Sequence, residues 1–420
     1  MNARQAFIFS STEKMQLNFN TMKTIDQTFD ETIGLVKFQI EKKILLNELN
    51  HLKHFTHLQN DLITQNLFFT VSNNKLQIIA TNLDSWLTSI IPIKNLSIEK
   101  TAIFTIDAKT LIKIIKTIKS NELIFNYSIN DFKLQLAFEE TIITMNCHEE
   151  QTASFPQQPI AKQNDNCSFY LYSQELFQAL KTTSFAASND DLRPALNNIN
   201  INNSNNDNDN DIKLTFAATD AHKLVVYEIN NPISLKHPLN VNATEITKFL
   251  NVLKKANKLC MINYNTEIIT FAFNNKIFTT SLFPGQFPNY QAVIPKNQSY
   301  KIRIDKNLLI NIIERLKPLT TKKTNSVKFI TDNGRLNVFT FDEETNNSGC
   351  DFIPISGNFP NAYSFIFNYH YLLEILKNCP SNFVMIYFSE DNNKPFIIKP
   401  IINNEVTNKI TYLLMPMDNN

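Results

Sequence analysis

The chain has 420 residues, a length suited to about three domains, and its 43% apolar content supplies packed cores and excludes a disordered chain. Forty Lys and Arg against 39 Asp and Glu leave a formal charge of +1, so bulk charge selects no class of partner and any basic surface has to be locally segregated. The five glycines (Gly34, Gly285, Gly334, Gly349, Gly357) are not spaced to cradle a phosphate, which argues against nucleotide-driven catalysis.

In chain order, residues 1–35 are polar and unrepeated and read as a flexible N-terminal extension, with Met22 available as a second start. A unit of short alternating strand, polar or N-cap residue and amphipathic helix then begins at Val36 (VKFQIEKKILLNELNHL). It recurs from Ala102 (AIFTIDAKTLIKIIKTI), Cys167 (CSFYLYSQELFQALKTT), His237 (HPLNVNATEITKFLNVL), Tyr300 (YKIRIDKNLLINIIERL) and Tyr363 (YSFIFNYHYLLEILKNC). Alternating runs between the units, such as KLQIIATNLDSWLTSIIP and IITFAFNNKIFTTSLF, predict antiparallel meanders, and Trp86 within the first reads as packed. Two such units hide their apolar faces against each other in a domain of about 130 residues. Six units therefore predict an α+β protein of three similar domains, at 36–156, 167–295 and 299–420, separated where the pattern breaks around 157–166 and 295–299. The Asn/Asp-rich run at 197–213 reads as an elongated hairpin turn.

Charge follows the helices. The helices predicted at 41–57, 107–120, 173–184, 243–258, 305–323 and 369–378 carry +10 together, which leaves −9 on everything else. At 100° per residue, Leu111, Ile112, Ile115 and Ile118 share one side of the second helix, opposite Lys109, Lys113 and Lys116. The fourth helix repeats this, with Ile246, Phe249, Leu250 and Leu253 opposite Lys248, Lys255 and Lys258, and the first does so more weakly, with Lys43 and His54 opposite Leu45, Leu49 and Leu52. Such a row of helices suits a polyanion bound through its phosphates, without readout of sequence.

Scattered, odd in number and never in a C-x-x-C pair, Cys147, Cys167, Cys260, Cys350 and Cys379 predict reduced thiols and no zinc ribbon, as in a cytoplasmic protein. No apolar run approaches the roughly 20 residues that span a bilayer, and no signal-peptide pattern opens the chain, so no membrane association is expected. Asp220 and His222, two apart, would share a face of a strand and could be imagined as metal ligands or an acid/base pair. No third ligand or nucleophile motif accompanies them, so no catalytic residue, metal or cofactor is expected. Arg193-Pro194 begins a turn in which Arg193 faces either a polyanion or a carboxylate.

Three stretches carry a resemblance: DLRPALNNI (191–199) followed by FAATDAHKLVVYE (216–228), FPGQFPNYQAVIP (283–295), and the terminal YLLMPMDNN (412–420). In order and spacing, and with ATNLDSWLTSIIP (80–92), the chain resembles the bacterial DNA polymerase beta-subunit, or sliding-clamp, family from about Val36 to its end. The resemblance implies a head-to-tail homodimeric ring with helices inside and sheets outside, encircling duplex DNA, with Lys43, His54, Lys109, Lys113, Lys116, Lys248, Lys255 and Lys258 facing the DNA. It also implies that the chain is no enzyme but tethers the catalytic subunit of a replicative polymerase. The clamp loader, other polymerases and repair proteins would dock through short motifs in a cleft between the second and third domains. By residue, that cleft comprises Leu196, Thr219, Ala221, His222, Lys223, Leu224, Pro288, Val293, Pro395, Leu413, Leu414, Met415, Pro416 and Met417. Ala221 stands where the family usually has Gly, Lys223 where it has Arg, and Ala292 where Arg is frequent, which leaves a less cationic rim, and the tail ends Asp418-Asn419-Asn420. Ring closure is implied at Met145 and Cys147 in the first domain against Pro318 and Leu319 in the third, where Pro318 interrupts a longer helix. The alternative is a clamp-fold interaction scaffold that does not encircle DNA.

Overall fold

The computed structural model describes residues 35–56, 63–96, 101–159, 167–204, 212–230, 233–342 and 344–417; the N-terminal extension up to residue 34, residues 205–211 of the Asn/Asp-rich run and the 418–420 tail lie outside them. Among the described residues, each predicted strand–helix unit is present. The helices are α1 (Lys42–Leu52), α2 (Ala108–Thr117), α3 (Glu149–Ala153), α4 (Ser173–Ser184), α5 (Ala243–Leu253), α6 (Lys306–Leu316) and α7 (Tyr369–Asn378). Polar residues start several of them by the same device: Asp107, Asp305 and Asn368 accept the backbone N–H of Thr110, Leu308 and His370 at 2.7, 3.0 and 2.9 Å, and Asn242 accepts from Thr244 at 2.9 Å. No helix among the described residues is long and apolar enough to cross a membrane.

Four of the six predicted helices are shorter than predicted, while Ser173–Ser184 and Tyr369–Asn378 match their predicted bounds. After α1 the chain tightens into a 3-10 turn at Lys53–Phe55, and α6 gives way to one at Lys317–Leu319, where Pro318 supplies no N–H for a further α turn. Beyond α5 the Ala256 N–H closes back on Leu253 O at 2.9 Å and the chain enters the strand Leu259–Tyr264. Lys255 and Lys258, predicted on the fourth helix, therefore stand in the turn that follows it.

The chain divides into two compact units, one holding residues up to Phe177 with Lys248–Leu282, the other Gln178–Thr247 with Phe283–Asn420, so the residues expected as a middle domain are shared between them. The first unit contains an eight-stranded antiparallel sheet in the order 102–107, 66–72, 75–81, 85–92, 276–281, 268–273, 259–264, 167–172. At its centre Ser85–Pro92 pairs with Lys276–Ser281, Leu87 opposite Phe278, so strands from two repeats 185 or more residues apart share one ladder. Phe55, Phe249, Phe271 and Phe278 are fully buried, with the rings of Phe249 and Phe278 stacked at 4.3 Å. Trp86 is 7% exposed, its Nε1 donating to Pro156 O. A four-stranded sheet (35–41, 122–128, 133–138, 141–146) completes the unit. Unpredicted, α3 seals it through Thr152, whose hydroxyl accepts the Thr105 N–H at 3.1 Å.

The second unit has a ten-stranded sheet, in which Lys223–Ile229 pairs with Ile410–Leu414, and a four-stranded sheet in the order 347–354, 335–342, 326–332, 364–368. Its core is aromatic: Phe365, Phe388 and Phe396 lie within 6.1 Å of one another, centroid to centroid.

Candidate functional site

The cleft residues predicted from sequence all fall in the second unit, and its central ladder explains how they meet. Leu224 faces Leu413 and Lys223 faces Leu414 across one strand pair, while Leu414 faces Phe396, next to Pro395, across the other. Leu224, Leu413 and Leu414 are 2%, 3% and 0% exposed, and Leu224 and Leu413 with Ala217 and Val226 form a floor against which Phe287, Tyr290 and Ile294 pack. These leucines, expected as contact residues, are buried by strand pairing. Val293 and Met415 remain open at 51% and 36%, and Thr219, Pro416 and Met417 are half-buried. The Met415 N–H donates to His222 O and that of Met417 to Ile366 O, both at 2.9 Å, which fixes the C-terminal segment along this floor.

Beside the floor lies a groove of about 440 Å³, lined by Leu196 and Pro288 as expected and also by Arg193, Pro194, Ala195, Phe283, Gly285 and Gln286. Asn240 holds its wall by donating to Gly285 O at 2.7 Å, and a Cβ at Gly285 would strike the Phe283 ring, so glycine keeps that wall thin. The Arg193 Nε donates to Asp190 at 2.9 Å, which decides the alternatives for Arg193 in favour of a carboxylate. An apolar slot of this size has room for Leu or Phe side chains, whose burial contributes roughly 1.5–3 kcal/mol each before ordering costs.

Asp220 and His222 are not on a strand. Ala221 adopts φ +78°, which breaks the alternation and makes residues 219–223 a tight turn. The Thr219 hydroxyl accepts the Ala221 N–H and donates to Lys223 O, and one Asp220 oxygen accepts the N–H groups of His222 and Lys223 at 2.9 and 2.8 Å. The other Asp220 oxygen holds the Lys223 ammonium, and the His222 ring stacks on Tyr371 of α7 at 4.9 Å and 9°. Lys223 is buried, and Glu374, one turn after Tyr371, pairs with its Nζ at 2.9 Å. Burial opposes the Lys223 charge, but Asp220 and Glu374 outweigh it and hold the ammonium above its ordinary pKa. Among the described residues no group of three His, Cys, Asp or Glu side chains is placed to hold a metal. Sequence reading missed Tyr371 and Glu374; their signal was the polar gap they leave among the buried Leu372, Leu373, Ile375 and Leu376.

The basic face belongs to the first unit. Leu45, Leu49 and Leu52 of α1 and Leu111, Ile112 and Ile115 of α2 are buried where these helices pack together, and Lys43, Lys109, Lys113 and Lys116 are exposed, as their phase predicts. His54 is exposed in the turn after α1, and partial burial and Lys53 lower its pKa. Lys248 is half-buried on α5, and Lys255 and Lys258 are exposed beyond it.

The residues expected at ring closure differ in exposure. Met145 pairs with Leu134 on the inner face of its sheet and is 8% exposed; Cys147 is 4% exposed, its thiol pushed up to about 12 by burial. The alternation that turns Met145 inward turns Ile142, Thr144 and Asn146 outward, with Ile142 65% exposed. Pro318 is exposed, whereas Leu319 is half-buried and lies close to Gly349 of the Asn347–Pro354 edge strand.

Known proteins agree with this architecture. The family model for the DNA polymerase III beta subunit, central domain, matches residues 170–289, and that for its C-terminal domain matches 291–418. The beta sliding clamp of Rickettsia felis is 25% identical over 381 residues, covering 87% of this chain and 96% of its own, and that of Rickettsia bellii is 26% identical over 387 residues, covering 89% and 94%. A crystal structure of the sliding clamp from Bartonella birtlesii bound to griselimycin superposes with a TM-score of 0.82 at 22% identity, covering 92% of this chain and all of that one, which shows a shared fold. Because the two beta-subunit models together match more than half of the chain, the protein belongs to the DNA polymerase III beta-subunit family, the beta sliding clamps, which are processivity subunits and not enzymes.

Proposed function

We propose that two copies of this chain join head to tail into a ring that encircles duplex DNA without reading its sequence. The ring tethers the catalytic subunit of a replicative polymerase and docks the clamp loader, other polymerases and repair proteins through short peptides in the cleft. Each copy is built of clamp domains at 36–156, 167–295 and 299–420, a division supported by the family matches at 170–289 and 291–418. The exposed lysines of α1 and α2 support a DNA-facing inner wall, since phosphate contacts supply affinity without register and so permit sliding. We assign the protein to the cytoplasm, and its five free cysteines support that.

One observation carries the ring. Each unit contains a four-stranded sheet with one edge partly covered and one open: Gln39 bridges Lys94 and Ile366 bridges Met417, while Thr141–Asn146 and Asn347–Pro354 are terminal strands that pair on one side only among the described residues. Two unlike open edges on one chain suit a heterologous contact, which closes into a ring when its rotation allows. Ile142 and Phe352, 65% and 49% exposed, are the apolar residues such a contact would cover. Negative-stain imaging with a solution mass tests this. A ring with a central hole at about twice the chain mass is expected, and a monomer without a hole would favour the scaffold that does not encircle DNA.

A further inference from the structure

We infer that Glu374 gives the cleft a charge preference: a partner peptide carrying Lys or Arg where it passes the His222–Tyr371 stack binds more tightly than the same peptide carrying Asp or Glu there. This rests on the cleft reading above and specifies the chemistry of the partner.

The argument is a count of accessible charge. Lys223 has the only buried ammonium described at this rim, and with a side chain 5% exposed it cannot reach a ligand. It is held on one side by Asp220, 14% exposed, and on the other by Glu374, 50% exposed, so the three groups carry a net −1 that reaches solvent at Glu374. Glu374 engages Lys223 through Oε2 at 2.9 Å, and half of its side chain is open to solvent. Tyr371 and Glu374 are three apart on α7 and therefore share a face. That face continues the strip formed by the His222 ring, stacked on Tyr371, and by exposed Met415, whose N–H is bonded to His222 O. The next cation along α7, Lys377, is engaged by Glu314 at 2.6 Å, and Glu314 also holds Lys317. His370, exposed at the start of α7, stands on the opposite side of Tyr371 in sequence from Glu374. A peptide anchored by apolar side chains in the groove thus meets a carboxylate when it crosses the strip, and a lysine at 223 does not offset it.

Fluorescence anisotropy with three labelled hexapeptides, identical in their Leu and Phe anchors and differing only in one flanking Lys, Ala or Glu, tests this against the wild-type chain, Glu374→Gln and Glu374→Lys. In the wild type the Lys peptide should bind about two- to five-fold more tightly than the Ala peptide, and the Glu peptide more weakly by a similar factor, the range of a partly exposed ion pair. The spread should shrink in half-molar salt, collapse in Glu374→Gln and reverse in Glu374→Lys. Matched thermal unfolding of wild type and Glu374→Gln establishes that the near-isosteric variant is folded. Equal binding of all three peptides to the wild type, or an unchanged order in folded Glu374→Gln, overturns the inference and leaves the cleft reading standing. Absence of binding by every peptide overturns the cleft reading itself, and this inference with it.

Discussion

Two buried lysines in this molecule have nearly the same chemistry and different uses. Lys276 opens the strand that joins two repeats in the first unit and pairs with Glu48 of α1; Lys223 opens the strand that joins two repeats in the second unit and pairs with Glu374 of α7. Around Lys276 both members of the ion pair are buried. Its side chain and that of Glu48 are 8% and 6% exposed, its Nζ lies 2.7 Å from one Glu48 oxygen, and the Ser89 hydroxyl donates to the same carboxylate at 2.8 Å. Burial would raise the Glu48 carboxyl, but Lys276 and Ser89 outweigh it and hold it below its ordinary value. Around Lys223 one partner, Glu374, is half in water. A pair sealed on both sides is committed to the fold, because separating it leaves a charge in a low-dielectric interior; a pair with one wet partner can exchange that partner at little cost.

The comparison can be broken most forcefully at Glu48. Glu48→Ala leaves Lys276 buried and uncompensated and should cost about 3–5 kcal/mol of stability, read from chemical denaturation. A loss under 1 kcal/mol would mean that water reaches the pair. Acid should act on the same bond. Since the folded carboxyl titrates below 4.5, its contribution is fully present above that value and is lost as pH falls through the lower folded one, so the wild type should lose more Tm on acidification than Glu48→Gln. Lys223→Met should cost less, about 1–2 kcal/mol, because Asp220 keeps its two backbone N–H donors and Glu374 its solvent. A smaller effect of opposite sign is expected at Ala221. With φ at +78°, Ala221→Gly should stabilise the turn by about 1 kcal/mol, seen as a raised Tm with peptide binding retained. Smallest for the fold are the exposed lysines. Replacing Lys109, Lys113 and Lys116 with Glu should change stability by less than about 0.5 kcal/mol per site. The same variant should weaken retention on circular duplex DNA more than tenfold at low salt and leave peptide affinity unchanged. Equal loss of both activities would contradict the separation of the basic face from the cleft.

Much of this architecture was readable along the chain. The phases of α1 and α2 predicted which side is buried and which lysines are exposed, since a helix repeats its surroundings every three to four residues and needs only its own sequence to do so. Asp107, Asp305 and Asn368 marked helix starts because a cap acts within three residues. The cleft stretches were recognisable as motifs, yet their division into floor and surface was not, because Leu413 and Met415 are both apolar residues of one motif until strand pairing buries Leu413 and leaves Met415 open. Likewise Met145 and Ile142 are both apolar residues of one edge strand, and only register decides which of them faces inward.

What the sequence by itself determined is everything that acts over a few residues: six strand–helix units, their caps and the basic side of the helices. What only the tertiary structure decided is everything that joins distant segments: Glu48 to Lys276 across 228 residues, and Lys223 to Glu374. Local preferences are set by sterics and hydrogen bonds within one turn and leave a period in the sequence. Pairings across a sheet depend on register and on what the chain has already buried, and so leave none.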